Sequence, residues 1–274
     1  MTVKADWEGR TGAAWADESA RTDRSFAPLT AMLIERILAK GAAHSILDIG
    51  CGAGELALSL TMAKPGARIV GIDISSDLIA AAEARKPVGA RCEFKLADAA
   101  AWHDAWFYPD LLVSRHGVMF FDDPPAVFRH LAEQAAEGAR MVFSCFRAPA
   151  ENPWVIEIAG LLPGLPATPP GAPGPFAFAD PDHVRGILEA GGWGRVAFEA
   201  IDFEMTVGAG ADPIGDAVSY FHRIGPAARA LADMAEANRA AFDDKIRALL
   251  AGRMTDGAVR FPAAAWIVSA IRKD

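Results

Sequence analysis

The stretch SILDIGCGAGE, residues 45–55, joins an apolar run containing Asp48 to glycines at every second position, Gly50, Gly52 and Gly54. A short apolar run closed by turn residues reads as a buried strand. Glycine supplies positive φ and lets a ligand reach the main chain. In an open α/β sheet, ligands bind beyond the carboxyl ends of the strands, near the switch point. Residues 45–55 therefore predict a first strand followed by a ligand-holding loop, with a carboxylate at its lip.

Outward from that loop the chain alternates apolar runs with amphipathic segments. Strands are expected at 45–49, 68–73, 91–96, 110–114 and 140–145, with helices at 54–63, 75–86 and 124–136. In the last helix Val127, Phe128, Leu131 and Ala135 share a face, and Asp123-Pro124 supplies an N-cap and a first-turn proline. Beyond 146 the rhythm changes. Residues 161–178 carry six prolines and read as an ordered loop crossing the sheet edge. A capped helix in DPDHVRGILEAGGW, a strand near 195–204, a helical insertion over 212–250 and a strand over 264–271 complete the pattern. The fold class expected is α/β: a doubly wound, mostly parallel seven-stranded sheet with helical lid additions. A single domain over 1–274 is expected, with a core at 27–150 and additions at 1–26, 147–190 and 205–258 on the side facing a second ligand.

Composition narrows the partners. The 274 residues are 52% apolar and 23% charged with a net charge of −8, and no Lys/Arg-rich block is present, so a nucleic-acid partner is not expected. Cys51, Cys92 and Cys145 lack pairing or zinc-like spacing. The amino terminus has no signal-peptide core, and no apolar run approaches the roughly 20 residues that span a bilayer, so a cytoplasmic protein without membrane insertion is expected. No metal is expected, and the sequence allows a homo-oligomer.

The charge at the loop discriminates between ligands. A dinucleotide loop would read GxGxxG, but position 55 is Glu, and Asp48 lies just ahead of Gly50. Carboxylates repel a pyrophosphate and attract a cation. Asp73 ends the second strand, where a carboxylate accepts ribose hydroxyls, and Asp98 follows the third. Three strand ends thus direct carboxylates into one crevice, which suits a positively charged nucleoside.

At these residues the chain resembles the class I S-adenosylmethionine-dependent methyltransferases. ILDIGCGAG is similar to their first motif, VGIDIS to the second and LADAA to the third. DLLVSRHGVMFFDDP and RMVFSCFRAPAENPW look like the small-molecule branch that includes the quinone-ring and trans-aconitate enzymes. The resemblance covers about residues 7–150. It implies a Rossmann-like methyltransferase fold with S-adenosyl-L-methionine as cofactor and a small-molecule methyl acceptor. By the same resemblance Gly50, Cys51 and Gly52 contact the methionine part, with Asp48 orienting the loop. Asp73 binds the ribose and Ile74 covers the adenine. Asp98 accepts from the adenine amino group beside the Ala99 N–H, and Ser114 lines the methionine chain.

Methyl transfer asks the protein mainly to hold acceptor and methyl in line and dry. His116, after the fourth strand, is the candidate general base, with an aromatic packing slot as the competing reading. Arg115 is a candidate for a substrate carboxylate, set against a structural ion pair. Trp7 and Trp15 are placed over the crevice and Tyr220 in a lid, although aromatics at helical spacing are more often core. His44, His103 and His130 read as structural. DDPPAVF reads as a helix cap rather than a nucleic-acid amino-methylation motif. The acceptor is expected to be hydrophobic or aromatic, with oxygen favoured over carbon or nitrogen. Two alternatives stay open from sequence: an NAD(P)-dependent oxidoreductase, and a non-catalytic S-adenosylmethionine-binding module.

Overall fold

In the computed structural model of the chain, residues 4–162, 172–232 and 234–274 are described. The chain enters through three helices, α1 (Lys4–Trp7), α2 (Arg10–Asp17) and α3 (Ser19–Ala39). The alternation follows as β1 (Ser45–Ile49), α4 (Glu55–Ala63), β2 (Arg68–Asp73), α5 (Ser76–Arg85), β3 (Cys92–Leu96), β4 (Leu111–Arg115), α6 (Pro124–Gln134) and β5 (Arg140–Phe146). Then come α7 (Pro153–Gly160), α8 (Pro181–Ala190), β6 (Trp193–Gly208), α9 (Pro213–Arg223), α10 (Pro226–Ala232), α11 (Glu236–Ala251), β7 (Met254–Thr255) and β8 (Ala258–Arg272).

The sheet order is β3-β2-β1-β4-β5-β8-β6, with the two-residue β7 paired only to β8. β1 to β5 run parallel to one another, whereas β8 runs antiparallel between β5 and β6. β1 and β4 are buried almost throughout because helices cover both faces of a parallel sheet. The chain leaves β1 toward β2 on one side and meets β4 on the other, so the switch point lies beyond Ile49 and Arg115. The glycine loop opens there.

The boundaries of the parallel core agree with the sequence reading to within two residues. Asp123 caps α6 as expected, accepting from the Ala126 N–H at 3.1 Å. The flanking elements differ more. The core boundary expected at residues 26/27 falls inside α3, whose Phe26, Leu29, Leu33 and Ile37 are buried and which packs on β6. Pro28 removes one helical hydrogen bond there, a cost of about 3 kcal/mol. Burying Leu29, Leu33 and Ile37 completely returns about 1.5–3 kcal/mol each, so the helix runs through. β6 and β8 form a long hairpin-like pair, β6 more than half as long again as expected and β8 nearly twice as long, and the described part of the 212–250 insertion is helical, as α9, α10 and α11. Asp98 is followed by an isolated turn, in which its carboxylate accepts the Ala100 N–H at 2.9 Å. Of the proline-rich loop, residues 163–171 lie outside the described residues; past them the Gly174 N–H donates to Met119 O at 3.2 Å, which ties the loop's return to the segment after β4. Among the described residues, no helix is long and apolar enough to cross a membrane.

Candidate active site

A cavity of about 430 Å³ opens beyond the carboxyl ends of β1, β2 and β4. Its floor is the glycine loop. Gly54 has φ +83°, and a Cβ there would lie 2.7 Å from the Phe94 ring, so this glycine serves packing. Gly52, at φ +54°, has nothing within 4 Å of its Cβ direction and lines the cavity. Its bareness leaves room for a ligand.

Asp73, at the end of β2, is 9% exposed. One carboxylate oxygen accepts the Gly52 N–H and the other the Ser75 N–H, both at 2.9 Å. The side chain thus ties the glycine loop to the β2–α5 corner. Burial raises its pKa, and those two N–H groups counter the rise. Each oxygen keeps a lone pair for a hydroxyl. Asp48 is 1% exposed, and neither of its oxygens has a hydrogen-bond partner among the described residues. Desolvation lifts its pKa to about 7 against the pull of Arg115. The Ala57 N–H also pulls on this carboxylate, and its charge beside the bare loop favours a cation or an N–H donor as neighbour.

Asp98 borders the same cavity, together with Ile74 and Ala99. Lys4 from α1 meets Asp98 at 2.6 Å. Burial would raise this carboxyl, but Lys4 and the Ala100 N–H outweigh it and hold it below the usual range. α1 and α2 cover this side. Gly12 crosses α5 so closely that a Cβ would lie 2.2 Å from Ser75 Oγ, and Trp7 and Trp15 pack at 5.6 Å on the cavity wall, where the sequence places them.

Two candidates have other tasks. Ser114 is fully buried and does not line the cavity: its hydroxyl donates to Ile49 O at 2.7 Å and accepts the Gly117 N–H at 3.1 Å, clamping the β4 exit to β1. Ser114 thus stands behind the loop rather than on the cavity wall where the methionine-lining expectation put it. Arg115 reaches the cavity wall, but its guanidinium is already engaged. It pairs with Asp23 at 3.3 Å and with Glu55, bonds Thr30 Oγ1 at 3.0 Å and lies 5.5 Å from the Phe26 ring centre. The structural ion pair, not a substrate carboxylate, accounts for it.

His116 has φ +58°, a left-handed conformation rare for a side-chain-bearing residue. Its ring lies 4.1 Å from Phe146 and 5.3 Å from Phe26, both edge-on, and Nδ1 is 2.8 Å from Ser144 Oγ. Nε2 is buried without a partner among the described residues. Desolvation, helped by Arg115, pushes the pKa down to about 3, so the imidazole is neutral at pH 7. Tyr220 is 2% exposed, 3.3 Å from Thr22 Oγ1, and presents to the cavity from the core side of α9. Phe146 also lines the wall, whereas Arg147 pairs with Asp202 and Glu151 instead. His103 meets Gln134 and His130 donates to Trp102 O, the structural roles expected of them.

The sequence reading missed Asp23, Phe26, Trp154 and Ser144. The first two sit on α3, for which no motif exists, and Ser144 is an inward position of a buried strand. Six aspartates and two basic side chains line the cavity. Both basic groups are paired with carboxylates, so the field is negative and unsuited to a pyrophosphate.

The chain is similar to known proteins. Residues 22–168, just over half of the chain, match the family described as "Methyltransferase domain", and the chain belongs to that family. Among curated relatives, the trans-aconitate 2-methyltransferase of Methylobacterium radiotolerans is 27% identical over 82% of this chain and 76% of its own length. That of Paracidovorax citrulli is 33% identical, over 39% of this chain and only 40% of its own length. The demethylmenaquinone methyltransferase of Thermus thermophilus is 28% identical over 62% and 81% of the two chains. By fold, the magnesium protoporphyrin IX methyltransferase of Synechocystis, with bound S-adenosylhomocysteine, superposes with a TM-score of 0.51 at 16% identity, over 90% and 82% of the two chains. The protein is an S-adenosylmethionine-dependent methyltransferase of the small-molecule type. The bare Gly52 and the unsatisfied Asp48 fit that cofactor.

Proposed function

We propose that the protein moves a methyl group from S-adenosylmethionine to a small, mostly apolar aromatic acceptor, with oxygen favoured over carbon or nitrogen. The observation carrying this reading is that, among the described residues, the basic side chains lining the cavity, Lys4 and Arg115, are already paired with carboxylates, while aromatic and aliphatic side chains form much of the remaining wall. A tricarboxylate such as trans-aconitate, named for two relatives above, would meet no free cation there and a net negative field. A flat apolar ring would bury against Phe26, Phe146, Trp154 and Phe221.

In this reading Asp73 takes the ribose hydroxyls, Gly50, Cys51 and Gly52 follow the methionine part, and Ile74, Asp98 and Ala99 surround the adenine. Bound, the sulfonium supplies the electrophilic methyl; the chain's own residues orient the acceptor and exclude water. Trp7 and Trp15 roof the site, and Tyr220 shapes its acceptor side. The whole chain acts as one unit, with the described parts of segments 1–26, 147–190 and 205–258 supplying acceptor-side wall through Trp15, Trp154 and Tyr220. Three buried free thiols, Cys51, Cys92 and Cys145, support a reducing compartment, the cytoplasm.

Two results are expected. Ionised Asp48 is the form that attracts a cationic ligand. With its pKa at about 7, S-adenosylmethionine affinity rises about tenfold between pH 6 and pH 8, and binding at pH 6.5 releases protons. Calorimetry in buffers of different ionisation enthalpy reads both; a pH-independent affinity would remove Asp48 from the cofactor field. Gly52→Ala places a methyl group in open cavity at φ +54°. Stability should fall by only about 1–2 kcal/mol, while cofactor affinity falls more than tenfold, as thermal melts and titration would separate. To test the reaction itself, the protein is incubated with methyl-labelled S-adenosylmethionine and a metabolite extract. Label is expected in a solvent-extractable, ultraviolet-absorbing product. Label confined to a polyanionic product would refute the acceptor class, and cofactor binding without any product would indicate a binding module.

A further inference from the structure

We infer that Arg85 is a positioning residue for methyl transfer: its guanidinium clamps the Ala53 carbonyl of the glycine loop to the Asp23 carboxylate of α3, so that the cofactor loop and the acceptor wall keep one spacing. This role rests on the methyl-transfer reading of the cavity and falls to a residue outside the cavity wall.

Arg85 is the last residue of α5, where that helix crosses the loop: a Cβ on Gly54 would lie 3.0 Å from the Ala82 Cβ, one turn earlier in α5. The crossing brings the guanidinium within reach of two other elements. Its Nη1 donates to Ala53 O at 2.8 Å and its Nη2 to the Asp23 carboxylate. A planar fork with its donors in fixed geometry can hold two acceptors on separate elements at once. Ala53 O needs such a donor. Gly54 O accepts the Leu58 N–H at 2.9 Å and opens α4. The Ala57 N–H, which would close the preceding turn onto Ala53 O, pulls on Asp48 instead. A side chain from α5 therefore holds the carbonyl that the helix leaves over.

From Asp23 the contacts continue. Its other oxygen meets Arg115 at 3.3 Å, and Arg115 pairs with Glu55 in the first turn of α4. Arg85, Asp23, Arg115 and Glu55 thus form a circuit of alternating charge that leaves the loop at Ala53 and returns to the chain two residues later. A shift of the loop against α3 breaks a contact at one end or the other. Asp23 shares a stripe of α3 with Ser19, Thr22 and Phe26, all on the cavity wall, and Phe26 packs edge-on against His116. Gly52 and Ala53 line the same cavity from the loop. The clamp therefore spans the backbone that follows the methionine part and the helix that walls the acceptor side. Methyl transfer is sensitive to that spacing, since a misplacement of about 1 Å can cost about 10²-fold in rate. With the Arg85 side chain 33% exposed, its ion pair adds little to global stability, so the contact acts through where it holds the loop.

The clamp is read first without any ligand. Amide hydrogen exchange of the full chain, followed by mass spectrometry, is compared for the parent and Arg85→Ala. Exchange is expected to quicken about tenfold over residues 50–56 and to stay unchanged over β2, because the released carbonyl loosens the loop locally. Calorimetric titration with S-adenosylhomocysteine and, separately, with adenosine then reads the consequence. Arg85→Ala should bind S-adenosylhomocysteine about tenfold more weakly, the size of one charge-assisted hydrogen bond. Adenosine, which lacks the methionine part, should lose about twofold at most, since Asp73 and Asp98 are left in place. Unchanged exchange over 50–56, or equal losses for the two ligands, would overturn the positioning role. So would a large fall in the urea midpoint with exchange rising along the whole chain, which would make Arg85 a general support of the fold. A parent protein that binds neither ligand would sink the cofactor reading, while exchange over 50–56 still decides whether Arg85 clamps the loop.

Discussion

Arg115→Ala is expected to destabilise the fold by about 3 kcal/mol or more, the largest stability effect of any single change near the cavity. The guanidinium holds Asp23 of α3 and Glu55 of α4 together, and all three side chains are mostly buried, at 16–17% exposure. Removing the cation leaves two poorly solvated carboxylates facing each other, and breaking a buried pair from one side typically costs about 3–5 kcal/mol. Asp23 keeps Arg85 as a second partner, and Thr30 still donates to Glu55 at 3.1 Å, which places the effect toward the lower end. The loss should also loosen α3 from the glycine loop, since Glu55 is the first residue of α4 directly after Gly54. Urea denaturation of the variant measures this. A change below 1 kcal/mol would show that the network is solvated and carries little.

Asp73→Ala is expected to weaken S-adenosylmethionine binding by more than tenfold and, unlike a pure contact residue, to cost stability as well. The carboxylate satisfies two buried N–H groups, of Gly52 and Ser75, and stranding them costs about 1–3 kcal/mol each. The affinity loss has two sources: the ribose partner disappears, and the loop it holds in place is released. Gly52→Ala, which blocks ligand space without touching these bonds, separates the two. An unchanged dissociation constant for Asp73→Ala would end the ribose assignment.

The parallel core was legible because its strands are short and mostly apolar, and three of them carry a carboxylate near or just past the carboxyl end: Asp48 in β1, Asp73 in β2 and Asp98 beyond β3. The order of those carboxylates along the chain is also their order across half of the sheet, so sequence spacing reports spatial grouping. α3 was not legible. Its buried stripe includes Thr22, Ser25 and Thr30, so periodicity in apolar residues alone understates it. Its partners, β6 and β5, are far away in sequence. The lengths of β6 and β8 were underestimated for a related reason: along β6 many outward side chains are polar, including Glu199, Asp202 and Glu204, and only pairing with β8 shows that the backbone stays extended. Within the site, residue types led to the loop and carboxylates that line the cavity floor. They failed where neighbours decide: Ser114 and Arg115 carry suitable groups for ligand contacts, but Ile49, Gly117, Asp23 and Glu55 occupy them.

The central claim is that a bare glycine loop ringed by buried carboxylates holds a sulfonium nucleoside. Calorimetric titration of the full chain with S-adenosylmethionine and, separately, with NADH at pH 8 tests it most directly. Saturable binding of S-adenosylmethionine with no heat from NADH is the predicted result. Saturable NADH binding with S-adenosylmethionine silent would contradict the account.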